Sequence, residues 1–298
     1  MKLNIQSSAN QIAVFFVILG FNIIFISFFM NLTAGLFFGA ENLYTAGALR
    51  YISSLTQLGI FGLTAFECAY LFNNNTINYL QLNKGVSIWK CLLMILIAVS
   101  SLPALSYIIT WNEGIQFPQF MSSMETWMRE KEDSLAEITS LLLSGKSIEI
   151  LFINLAVMAV IPAFCEEFLF RGLIITWFRK RITNIHVVVF ISALVFSAIH
   201  LQFYGFVPRL LLGLYLGYLY VWTGSIWACI IVHFINNGMV VTVSYLFNNH
   251  IISTEYQHFG NVGNNYLLII LSVLFTTVCI YFLYRKRVTK YKEKNYYS

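Results

Sequence analysis

Between Pro162 and Gly172 the chain reads PAFCEEFLFRG. Two adjacent glutamates, Glu166 and Glu167, and an arginine, Arg171, stand inside a run that is otherwise apolar from about 147 to 178. Such a run is long enough to cross a hydrocarbon core of about 30 Å at 1.5 Å per residue. A charged side chain at mid-bilayer costs roughly 2.5–3.5 kcal/mol on insertion scales. Charges kept there against that cost mark a functional site by default, and the rest of the chain has to say which one.

Outside this stretch charge is scarce. Of 298 residues, 58% are hydrophobic and 10% charged, and the mean hydropathy is +0.73. A soluble domain carries about a quarter charged residues. Composition therefore predicts an all-α polytopic membrane protein whose surroundings are a lipid bilayer. The net charge of +5 is no nucleic-acid signal, because the basic residues are scattered or sit at segment ends. There they serve as anchors at the membrane surface. The five cysteines have no paired spacing and read as small buried hydrophobes.

Eight apolar stretches predict about eight transmembrane helices, roughly at 11–39, 52–73, 88–110, 147–178, 186–204, 208–222, 225–247 and 265–284. Lys2, the loop bearing Lys84 and Lys90, the run Arg179–Arg181 and the tail from Arg285 then fall on one side. The positive-inside rule makes that side cytoplasmic, with both termini in it. The chain divides into N-terminal transmembrane helices (1–110), an extracytoplasmic loop (111–146), a membrane core (147–248), and a last helix with a basic tail (249–298). In the loop, Phe120, Met124, Trp127, Met128, Leu135, Ile138 and Leu142 recur at helical spacing between charges. They predict an amphipathic helix, either a packed lid or a substrate gate.

Further polar groups stand in the core. His200 ends FSAIH; His233, Asn236 and Asn237 belong to HFINN. Glu166 lies 13 residues before Arg179, about 20 Å along a helix. His200 and Asn237 lie at similar distances from the starts of their own spans. Three segments thus bring a carboxylate, two imidazoles and an amide to one depth. Glu167 and Arg171 are i,i+4 and can pair, while Glu166 points about 100° away. Phe196, one turn from His200, can wall its ring.

A glutamate beside a histidine can deprotonate a water. A second histidine with an amide can donate to a developing oxyanion. Together they equip a site for peptide hydrolysis without a covalent intermediate. Three other readings stay open on the residues alone. One is zinc held by Glu166, His200 and His233. Another is a buried polar network joining helices. The third is an ion or proton pathway.

EEFLFR matches EExxxR, FSAIH matches FxxxH, and HFINN matches HxxxN. In that order, on successive apolar segments, they resemble the CAAX-protease and bacteriocin-processing (CPBP, or Abi) family of intramembrane endopeptidases. The resemblance covers about 150–248. It implies a glutamate-type protease with an all-helical core, in which Glu166 and His200 activate water. His233 and Asn237 would form the oxyanion site, with Glu167, Arg171 and Phe196 in support. It favours no metal cofactor, with zinc as the alternative. The substrate implied is a membrane-associated peptide or protein, and the place a bacterial cytoplasmic (inner) membrane. A non-catalytic binding, regulatory or bacteriocin-immunity protein of the same fold is the alternative function. Neither the substrate's identity nor the oligomeric state is legible in the residues.

Smaller features carry expectations too. Pro162 and Pro103 are expected to kink their helices, and Pro208 to start one. GLYLG (Gly213–Gly217) is expected to permit close helix packing. Arg209 is expected to reach headgroups or hold a substrate carboxylate. Glu67 stands in the second span with no partner apparent in the sequence.

Overall fold

The computed structural model describes residues 8–252 and 265–296, with the side chains of 10–252 and 265–285. Lys2, His258 and the side chains of Lys286, Arg287, Lys290, Lys292 and Lys294 lie outside the described residues. Among the described residues all regular secondary structure is helical, with no strand.

Every expected apolar stretch is a helix. In chain order they are α1 (Ser8–Phe38), α2 (Ala46–Phe72), then α3 (Ile88–Ser100) with α4 (Leu102–Glu113). The loop helix α5 (Ser122–Leu143) follows. The core comprises α6 (Ile148–Phe178), α7 (Ile185–Ala198), α8 (Phe206–Thr223) and α9 (Ile226–Asn248). The last helix is α10 (Tyr266–Tyr296).

Six of these are long and apolar enough to cross a membrane, and α3 with α4 makes a seventh if the bent pair is one span. The bend is 44° and falls at Ser101, just before Pro103. Proline cannot donate to the carbonyl four residues back, so the helix breaks there. Ser272 of α10 covers the break, accepting from Ala104 N and donating to Ser100 O. The fifth stretch, expected over 186–204, yields only the 14 residues of α7. That is about 21 Å, short of a full crossing. It ends because the chain turns at Leu201, whose φ is +53°.

Two buried clusters hold the bundle. One joins α3, α6, α7, α8, α9 and α10 through Met94, Ile175, Val188, Leu216, Ile226 and Cys279. The other joins α1, α2, α6 and α7 through Phe15, Cys68, Phe170, Leu173, Trp177 and Phe196. Large apolar side chains of α1 such as Phe21, Phe25 and Phe28 face outward, as a lipid-facing helix requires. Glu67 does have a partner: Asn22 of α1 donates to its Oε2 at 2.9 Å. Four of the five cysteines are buried, and all are free.

The amphipathic helix α5 docks on one end of the core. Glu132 accepts from Gln202 Nε2 (3.2 Å) and Tyr204 N (3.3 Å), and the rings of Trp127 and Phe203 meet at 5.3 Å. Of the seven apolar residues expected to pack, only Met128 and Leu142 are buried; Phe120, Met124 and Trp127 stay exposed. Arg129, 4.5 Å from the centre of the Tyr204 ring, holds the Glu125 carboxyl below the usual carboxylate range through a side-chain hydrogen bond. Lying at the surface, that pair adds little to stability.

Candidate active site

The two motif glutamates end the α-helical stretch Ile161–Glu167 within α6. Wider π-helical turns flank it, over Ala156–Val160 and Phe168–Ile175. Such turns are frequent at functional sites. The first has a cause in the sequence. Pro162 has no N–H for the carbonyl of Met158 four residues back. The amide of Asn237 on α9 supplies a donor instead, Nδ2 to Met158 O at 3.2 Å. The kink expected at Pro162 is therefore a widened turn that tethers α9. Pro162→Ala restores an N–H that competes for that carbonyl. Asn237→Ala alone is expected to cost about 1 kcal/mol. In the Pro162→Ala background that cost shrinks towards zero, as thermal melting of the two single variants and the double in detergent would show.

Glu167 and Arg171 pair as their spacing predicts, Nη1 to Oε1 at 2.8 Å, and both side chains are 0% exposed. Arg171 Nη2 donates to Gly213 O at 3.1 Å, and its guanidinium carbon lies 4.9 Å from the centre of the Phe196 ring. A Cβ on Gly213 would stand 3.0 Å from the Ala193 backbone. The glycine therefore lets α7 and α8 close together beneath the arginine, the packing role expected of GLYLG.

His233 comes to the same place from α9. Its Nδ1 lies 2.8 Å from Glu167 Oε1, the oxygen that Arg171 also uses. A carboxylate only accepts, so Nδ1 carries the hydrogen. The other nitrogen, Nε2, is 3.8 Å from Glu166 Oε2. His233 is thus hydrogen-bonded to Glu167 and lies beside Glu166 without bonding it.

Glu166 turns away from that pair, as the helical phase predicts, and is 4% exposed. Its Oε1 accepts from Gln57 Nε2 of α2 at 2.9 Å. Its Oε2 is buried and accepts no hydrogen bond from the protein. His200 sits two residues beyond the end of α7. Its Nδ1 donates to Phe196 O at 2.8 Å, which leaves Nε2 a lone pair. Phe196 is the hub of the site, edge-on to His200 at 5.2 Å and to His233 at 6.0 Å. Glu166, His233 and Arg209 all act electrostatically on His200. Asn237 spends one N–H on Met158, and its Oδ1 accepts from Asn236 at 3.1 Å.

Sequence spacing groups His233 with Asn237, whereas the fold ties each separately to α6, one to a carboxylate and one to a carbonyl. Sequence reasoning missed Gln57, although an amide inside an apolar span is the same signal that singled out Glu67. Among the described residues no three His, Cys, Asp or Glu side chains are arranged to hold a metal ion. Beside the site a cavity of about 670 Å³ opens between α4, α8 and α9 under α5, lined among others by Glu113, Glu132, Arg209, Asn236 and Met239. Arg209 turns inward and bonds the backbone and side chain of Gln202.

Compared with protein-family models, residues 148–239 match the one described as Rce1-like, type II CAAX prenyl endopeptidase Rce1-like. No curated protein and no solved structure matches the chain.

Proposed function

We propose, from the match of residues 148–239 to the Rce1-like model of type II CAAX prenyl endopeptidases, that this chain cleaves peptide bonds of membrane-associated peptides or proteins inside a bacterial cytoplasmic membrane. With α7 counted as an eighth crossing, both termini face the cytoplasm. One observation carries the chemistry. Glu166 Oε2 is a buried acceptor with no protein donor, on the same site as a histidine whose Nε2 is fixed as an acceptor.

A water donating to Glu166 Oε2 and His200 Nε2 is oriented and activated together. Its oxygen attacks the scissile carbonyl carbon while Glu166 takes its proton. The oxyanion that forms is stabilised by His233 in its doubly protonated, imidazolium form, with Nδ1–H held by Glu167 and Nε2–H turned to the oxyanion, and by the second N–H of the Asn237 amide. The Glu166 proton then passes to the leaving nitrogen as the C–N bond breaks. Glu167 and Arg171 hold His233 in place, and Phe196 sets the spacing of the two imidazoles. Every group in this scheme belongs to the protein, so no metal is required.

The test uses purified wild type and His200→Ala in detergent with a pool of membrane peptides, with and without a strong chelator, and mass spectrometry of the products. Cleavage by wild type alone that survives the chelator is the expected outcome. Activity lost to the chelator and restored by zinc would replace the metal-free scheme. A folded wild type with no cleavage, whose His200→Ala variant keeps the biological phenotype, would favour the binding or immunity protein.

A further inference from the structure

The matched segment ends at 148 on its N-terminal side, yet the side chain that directly holds Glu166 comes from α2. We propose that Gln57 is a positioning residue for the reaction. It fixes the Glu166 carboxylate so that Oε2, and not Oε1, is the oxygen that receives the proton. The proposal rests on the protease reading of the same site.

The local sequence explains how an amide reaches so far. Residues Thr56–Leu63 of α2 are π-helical, with the widened i→i+5 pattern. That turn puts Gln57 and Gly62, five residues apart, on one face. Both meet neighbours on α6: Gln57 meets Glu166, and Gly62 meets Cys165. A Cβ at Gly62 would stand 2.9 Å from Cys165 Sγ. The bare glycine therefore sets how closely α2 approaches, and the approach sets the reach of Gln57.

The hydrogen bond has a direction. An ionised carboxylate accepts only, so the amide must present Nε2 to Oε1. With Oε1 occupied, the remaining acceptors of this contact are Glu166 Oε2 and Gln57 Oε1. Both are buried and neither has a protein donor. Leaving such a group unmatched costs about 1–3 kcal/mol. The water that donates to Glu166 Oε2 and His200 Nε2 has both its O–H groups engaged, so Gln57 Oε1 takes its donor from a second water. Gln57 thus does two things: it removes one carboxylate oxygen from the reaction and locks the plane of the other.

A carboxylate free to rotate loses the geometry, and a misplacement of about 1 Å can cost about a hundredfold in rate. Gln57→Leu keeps the volume and removes both polar atoms. The expected result is kcat lower by about 30- to 100-fold with KM within about threefold, and a melting temperature lowered by the loss of the donor to buried Glu166 Oε1. The neighbouring Leu58→Ala, at a half-exposed lipid-facing position, is expected to keep wild-type kcat. An infrared difference spectrum supplies a second reading that needs no turnover. The Glu166 carboxylate band, assigned by its loss in Glu166→Gln, is expected to shift in Gln57→Leu and to stay in Leu58→Ala. If Glu166→Gln abolishes cleavage while Gln57→Leu keeps kcat within twofold, the positioning role is wrong and the protease reading stands. If wild type cleaves nothing, the protease reading fails, and an unmoved carboxylate band would remove the positioning role with it.

Discussion

Glu166→Gln is expected to leave a folded, inactive protein, with kcat lower by at least about 10²- to 10⁴-fold, the range a general base contributes. The amide keeps the size of the side chain and can still accept from Gln57 at its oxygen. What it loses is an atom able to take a proton at the Oε2 position, where no protein donor competes. Stability is expected to hold or rise, because a buried neutral amide is cheaper to desolvate than a buried charge. Single-turnover cleavage and thermal melting, measured on one preparation, separate the two effects. Retention of activity within tenfold would show that another group is the base.

Arg171→Leu is expected to produce the largest loss of stability in the molecule. Arg171 heads the largest fully buried side chains. It donates to Glu167 Oε1 and to Gly213 O and lies against the Phe196 ring. Removing it strands a carboxylate that is 0% exposed, with His233 as its one remaining donor. Breaking a buried pair from one side costs about 3–5 kcal/mol. The double variant Arg171→Leu with Glu167→Gln removes both charges and is expected to recover part of that loss. Denaturation in mixed detergent micelles measures it. A single-variant cost below about 1 kcal/mol would mean that the pair is solvated.

What the sequence disclosed follows the reach of local geometry. Glu167 and Arg171 lie on one helix, so their spacing alone decides that they meet. Pro103 breaks its helix through a missing N–H, which is equally local. The depth argument set Glu166, His200 and Asn237 at a similar level, with His233 one turn shallower, by counting residues within single apolar spans. The partners that escaped it are tertiary. Asn237 bonds a carbonyl at Met158, and backbone acceptors leave no mark in a sequence. Gln57 reaches Glu166 only because α2 widens at Thr56–Leu63 and comes close at Gly62. Hydropathy counted the fifth span past its true end because it does not register the left-handed turn at Leu201.

The carbonyl of Met158 has a consequence for how the protein is made. In hydrocarbon a backbone acceptor without a donor costs several kcal/mol. Met158 is synthesised 79 residues before Asn237, the side chain that bonds it. Through that interval α6 carries an under-matched carbonyl beside two glutamates and an arginine. Until α9 is made, the partners it supplies to Met158 O and to Glu167 are missing, so α6 reaches its final set of polar contacts only when α9 packs against it.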